Sequence, residues 1–171
     1  MKFIKYTVLL FSANSFLFSC NYSPPETFLI PEGYKGNIYV VYKQKNGEKE
    51  EFEKGRRIYR IPNTGVLFSQ FKDDYGIIDQ EYYYISSKGI RTKLGILDTR
   101  DFNEEWTLEK NPHEPSRDSL AIFNPATTGV MGNSSDINSI KYQETCVGTY
   151  NDLKNFKEFS IEYIDSLRKR L

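Results

Sequence analysis

The stretch Gly36-Asn37-Ile38-Tyr39-Val40-Val41-Tyr42-Lys43 decides the fold class. In an extended chain Ile38, Val40 and Tyr42 point to one side, and Tyr39 and Val41 point to the other. Both sides are apolar, the mark of a strand that is covered on both faces. Its aromatic and β-branched side chains favour pleated backbone over helix. The same bias runs through the 171-residue chain, which holds 13 Tyr, 12 Phe and 1 Trp, enough bulk to fill a sandwich core without disulfides.

Downstream, Asn46-Gly47 predicts a two-residue hairpin turn that pairs residues 39–43 with 49–52, because such residues accept positive φ cheaply. The return, 48–53, is nearly all charged around Phe52, as suits an edge strand that must not recruit other chains. Lys54-Gly55 turns into Arg57-Ile58-Tyr59-Arg60-Ile61-Pro62, where proline ends the ladder, and Asn63-Thr64-Gly65 turns into 66–71. A second hairpin is predicted across Ser87-Lys88-Gly89, between 81–86 and 90–97. Residues 98–118 read as a long irregular segment with a short strand at 106–109. Segments of that length in a compact domain are functional or disordered. Residues 120–123 read as a short strand, 125–139 as a Gly/Ser/Thr-rich loop, and 142–148 as a strand.

At the C-terminus Leu153, Phe156, Phe159, Tyr163, Ile164 and Leu167 recur at helical spacing. Thr149 and Asp152 form a candidate capping box, and Arg168, Lys169 and Arg170 suit the negative end of a helix dipole. The stripe is expected to pack on the sheet. The sequence therefore predicts a mainly β, antiparallel sandwich-like domain over 28–171 with one C-terminal helix at about 150–170.

Upstream, Lys2 and Lys5 precede an apolar run, 6–18, that ends in Leu17-Phe18-Ser19-Cys20. The run is short for a membrane span, which needs roughly 20 apolar residues. It fits a bacterial lipoprotein signal in which 1–19 are removed and Cys20 is acylated. Residues 20–27 then form a short tether stiffened by Pro24-Pro25. A single acyl chain binds membranes only marginally, and a diacylglyceryl cysteine supplies more than one. The expected location is the cell envelope, anchored to a membrane by lipid on Cys20, with the domain outside the cytoplasm.

The 23 basic and 23 acidic residues leave no basic excess, which argues against nucleic-acid binding. Once Cys20 carries lipid, Cys146 has no disulfide partner and reads as a small buried hydrophobe. His113 is the single histidine. With Ser116 and Asp118 it gives the alternative reading, a membrane-tethered hydrolase, although the spacing matches no established triad. One histidine cannot build a His-rich zinc site, and Asp73, Asp74 and Asp79 lack the order of a calcium loop. No catalytic residue, metal or cofactor is assigned. The candidate binding surface is the aromatic and cationic set Tyr39, Tyr42, Arg57, Tyr59 and Arg60, suited to a protein or glycan partner.

Further likeness is carried by Ile30-Pro31-Glu32-Gly33-Tyr34-Lys35-Gly36, Asn46-Gly47, Arg57 to Pro62, Gly65-Val66-Leu67, and Tyr75-Gly76 through Tyr82-Tyr83-Tyr84. In these residues the chain resembles an uncharacterised family of bacterial secreted proteins and lipoproteins, catalogued as a domain of unknown function. A looser likeness is to transthyretin-like and carboxypeptidase-regulatory-like β-sandwiches. Both imply a β-rich extracytoplasmic domain, and neither brings a catalytic residue.

Overall fold

The structure, a computed structural model, describes residues 23–74, 78–132 and 139–171. The expected signal segment, 1–19, and Cys20 lie outside the described residues. Among the described residues ten strands form two sheets: β1 (Glu26–Pro31), β2 (Gly36–Val41), β3 (Phe52–Glu53), β4 (Arg56–Arg60), β5 (Val66–Phe68), β6 (Gln80–Ile85), β7 (Arg91–Lys93), β8 (Gly95–Ile96), β9 (Ala121–Met131) and β10 (Ile140–Gly148). Two short helices follow, α1 (Tyr150–Leu153) and α2 (Ile161–Arg168).

The first sheet has the order β3-β4-β1-β6-β7 and the second β5-β2-β10-β9-β8. The mainly β fold is as the sequence predicts, but the sheets are mixed. β1 runs parallel to both β4 and β6, β2 parallel to β5, and β8 parallel to β9. The cause is local. After β1 the chain turns at Pro31–Tyr34, where the Tyr34 N–H donates to the Pro31 carbonyl at 3.0 Å, and β2 begins in the opposite sheet. The chain thus changes layers repeatedly, which brings strands separated in sequence together as the parallel pairs, while β2–β10 and β9–β10 remain antiparallel. Antiparallel pairing survives where a tight turn keeps the chain in its layer, as in β3–β4 and β6–β7.

The predicted Asn46-Gly47 hairpin is not formed. Residues 44–48 lie against β5: the Glu48 N–H donates to the Phe68 carbonyl at 2.7 Å. The left-handed two-residue turn sits instead at Lys54 (φ 50°) and Gly55 (φ 79°), joining Glu53 to Arg56. Gly47 is required for close approach, since a Cβ there would lie 2.5 Å from the Phe68 carbonyl oxygen. The charged return does supply an edge strand, β3, in the first sheet.

Between the sheets lie Phe28, Ile30, Tyr59, Ile61, Tyr82 and Tyr84 from one layer, and Ile38, Val40, Tyr42, Leu67, Ile122 and Val147 from the other. The outer face of the second sheet is covered as well, which accounts for the two apolar faces of β2. Ile164 of α2 packs with Tyr39, Val41, Val66, Phe68 and Ile140, flanked by Phe159 and Leu167. Further along, Phe156, Leu153 and Phe102 cover Phe123 and Cys146.

The expected single helix is broken. Thr149 and Asp152 form the predicted capping box, but α1 ends after one turn and α2 restarts on the Ser160 cap. A capping serine in the middle of a periodic stripe competes for the backbone, and the extended segment between the helices lets Phe156 and Phe159 reach different parts of the sheet. Of the predicted loop 125–139, residues 125–131 belong to the long strand β9, and 133–138 lie outside the described residues. Asn124 (φ 52°) and Ala126 (φ 57°) form a bulge there, opposite Thr145.

Candidate functional site

At the Glu26 end of the sandwich a polar layer lies within the core. Glu26 opens β1 and is 2 % exposed. Its Oε1 accepts from Tyr59 Oη at 3.0 Å and its Oε2 from Gln80 Nε2 at 2.6 Å. Tyr82 Oη donates to Gln80 Oε1 at 2.7 Å. From the facing sheet, Tyr42 Oη donates to Gln143 Oε1 at 2.6 Å. Gln143 is buried, and its Nε2 completes no hydrogen bond among the described residues. Burial pushes the Glu26 carboxyl above the usual carboxylate range, while Gln80, Tyr59 and the Arg57 charge pull it back only in part.

Arg57 closes this layer toward solvent. Its guanidinium lies 4.8 Å from the Phe71 ring centroid, pairs with Asp74 and donates to the Lys72 carbonyl. A crevice of about 90 Å³ lies beside it, lined by Tyr42, Asp73, Asp74, Lys141 and Tyr142 among others. Asp73 is held there by Lys43 and Lys141.

The candidate surface read from the sequence does not form as a surface. Tyr39, Tyr42 and Tyr59 are buried, Arg57 is 8 % exposed, and Arg60 alone of the five is exposed. The reason is the second covered face: Tyr39 points beneath α2, whereas Tyr42 and Tyr59 point between the sheets. Arg60 makes a two-pronged pair with Glu51, at 2.6 and 2.9 Å. It borders an open groove of about 730 Å³ between residues 46–51, β5 and the chain end at Leu171.

The His113 group does not assemble into a nucleophile and base. His113 and Ser116 are exposed, and Asp118 accepts from Asn151 Nδ2 at 2.9 Å. Cys146 is buried, its Sγ lies 3.7 Å from the Phe123 carbonyl, and burial raises its pKa to about 11, which disfavours the nucleophilic thiolate. Among the described residues no group of three or more His, Cys, Asp or Glu is arranged to hold a metal ion.

The model of a family of unknown function (DUF6843) matches residues 23–149, which span both sheets. The chain belongs to that family. The match takes in Glu26, the polar layer and residues 98–120, and it stops short of both helices. A crystal structure described as "Putative Lipoprotein from Bacillus anthracis" is similar in fold. It has TM-score 0.53 and 18% identity, over 86% of this chain and 93% of that one. No curated protein matches the chain.

The irregular segment of this family member is more ordered than its sequence suggests. Asn103 Nδ2 donates to the Asn111 carbonyl at 3.1 Å, and the Asn111 N–H donates back to Asn103 Oδ1 at 2.6 Å. These bonds close a loop over 103–111, and a turn inside it bonds the Thr107 N–H to the Glu104 carbonyl at 3.0 Å. Phe102, 4 % exposed, roots the loop by stacking on Tyr150 at 3.9 Å. Trp106 is nevertheless 79 % exposed and Leu108 fully exposed. The short strand expected at 106–109 is not formed. The available signal was Trp106 and Leu108 standing among Glu104, Glu105, Glu109 and Lys110 without apolar periodicity.

Proposed function

We propose that this protein is a bacterial envelope lipoprotein, held to a membrane by lipid on Cys20, whose β-sandwich acts as a non-catalytic binding domain. The observation that carries this reading is the continuity of signal and fold. The sandwich starts at Glu26, six residues after the Cys20 that ends the charged and apolar leader. A tether that short keeps the Glu26 end of the domain close to the lipid. No helix among the described residues is long and apolar enough to cross a membrane, and on this reading an acylated Cys20 provides the attachment. The similar fold described as a lipoprotein is in keeping with this.

Growth of cells expressing the full chain with an alkyne-tagged fatty acid tests the proposal. The parent is expected to take up label and fractionate with membranes, whereas Cys20→Ala loses the label and keeps its leader. Label retained in Cys20→Ala would overturn the assignment.

A further inference from the structure

We propose that loop 103–111 is a protein-docking finger, in which Trp106 and Leu108 enter an apolar pocket of a partner whose rim is basic. Three observations carry this.

The first is the contrast between the loop's base and its tip. Ordinary exposed apolar residues occur singly and need no explanation. Here the Asn103–Asn111 bonds and the Glu104–Thr107 turn hold the backbone. Arg117 donates to the Asn103 carbonyl and lies 5.0 Å over the Tyr150 ring. A loop fixed in this way holds out a large aromatic and a leucine at little further ordering cost on binding. Tryptophan in such a setting is a frequent anchor of protein interfaces.

The second is charge. Glu105 and Glu109 flank the two apolar side chains and are exposed. Lys110 Nζ is turned back onto the Glu104 carbonyl of the same loop. With Glu105 and Glu109 against the one exposed Lys110, the rim presented with Trp106 and Leu108 is net acidic, complementary to a basic rim and repelled by anionic lipid.

The third is position. Glu26 opens β1, and Pro31 closes it beside the turn into Gly36. The loop is rooted on Tyr150, next to the Lys35–Asp152 ion pair, and so belongs to the Gly36 end. The two ends of β1 are about 17 Å apart at roughly 3.3 Å per residue. The direction of the finger relative to a membrane rests on anchoring at Cys20. On that reading the tip points away from the lipid, toward an envelope protein.

The test is a photoreactive amino acid in place of Leu108 in the full-length chain, irradiated in intact cells, with the same substitution at exposed Ile90 as control. The expected result is an adduct at position 108, absent at 90, joined to a Lys/Arg-bearing apolar segment of another protein. The pair Glu105→Lys and Glu109→Lys should reduce that adduct at least tenfold while leaving the melting midpoint unchanged. An adduct to lipid or to a second copy of this chain, an adduct insensitive to charge reversal, or no adduct would overturn the proposal. Fractionation of the same cells reports anchoring separately. A charge-dependent adduct formed by unlipidated protein would uphold the finger and remove the membrane reading.

Discussion

Tyr59 Oη donates a 3.0 Å hydrogen bond to Glu26 Oε1 inside the sandwich, tying β4 to the first residue of β1. That bond and the one from Gln80 satisfy a carboxyl that burial would otherwise make costly. Because burial raises the Glu26 pKa above its usual 4.5, the folded protein keeps a proton that the unfolded chain has released. This stabilisation is complete below about 4.5 and is lost as pH rises through the folded-state value. Urea midpoints measured across that range should therefore fall more steeply with pH in the parent than in Glu26→Gln. Glu144, raised in the same direction by burial, and carboxyls held low by their partners, such as Asp98 and Asp152, contribute the same background to both proteins. Equal slopes would mean that Glu26 is solvated.

The two turn glycines should respond differently to asparagine. Gly55 has open space around it and a φ of 79°, so Gly55→Ala is expected to cost about 1–2 kcal/mol, and Gly55→Asn much less, because asparagine tolerates that region. Gly47 faces the Phe68 and Ser69 backbone, so both Gly47→Ala and Gly47→Asn should cost about 1–3 kcal/mol through overpacking. Chemical denaturation of the four variants checks this. A near-neutral Gly47→Asn would restore a hairpin at Asn46-Gly47.

For the C-terminal layer, Ile164 is fully buried and Tyr163 is 38 % exposed. Ile164→Ala should cost about 2–5 kcal/mol, and Tyr163→Ala much less. Phe156, which is only half-buried, should fall between them. If all three melt as the parent does, α2 does not cover the sheet.

The Cys146 thiol, with its pKa raised to about 11 and its sulfur buried, should resist alkylation in the native protein at pH 8 and react fully in denaturant. Fast native modification would place it at the surface.

What the sequence revealed follows from how locally each feature is determined. The strand 36–43 is legible because two apolar faces need no partner to be recognised. The Thr149–Asp152 box and the 86–90 hairpin are likewise set by adjacent residues. The parallel pairings of β1 are invisible, since they depend on the chain changing layers at Pro31–Tyr34. The choice between Asn46-Gly47 and Lys54-Gly55 as the hairpin turn follows from the same layer changes. The burial of the tyrosine set is hidden for a related reason: Tyr39 and Tyr59 look alike in sequence, but the third layer buries one and the sandwich the other. Glu26 gave no warning, because its partners Tyr59 and Gln80 are far away in the chain. The exposure of Trp106 follows from a hydrogen-bonded loop closure that no periodicity encodes.

The central claim, that a sandwich starting at Glu26 is held to a membrane through Cys20, is tested most directly by mass spectrometry of the N-terminal peptide of the protein isolated from membranes. The account predicts a peptide that begins at Cys20 and carries a diacylglyceryl mass on that residue. A chain that begins at Met1, or an unmodified Cys20 in the membrane fraction, would contradict it.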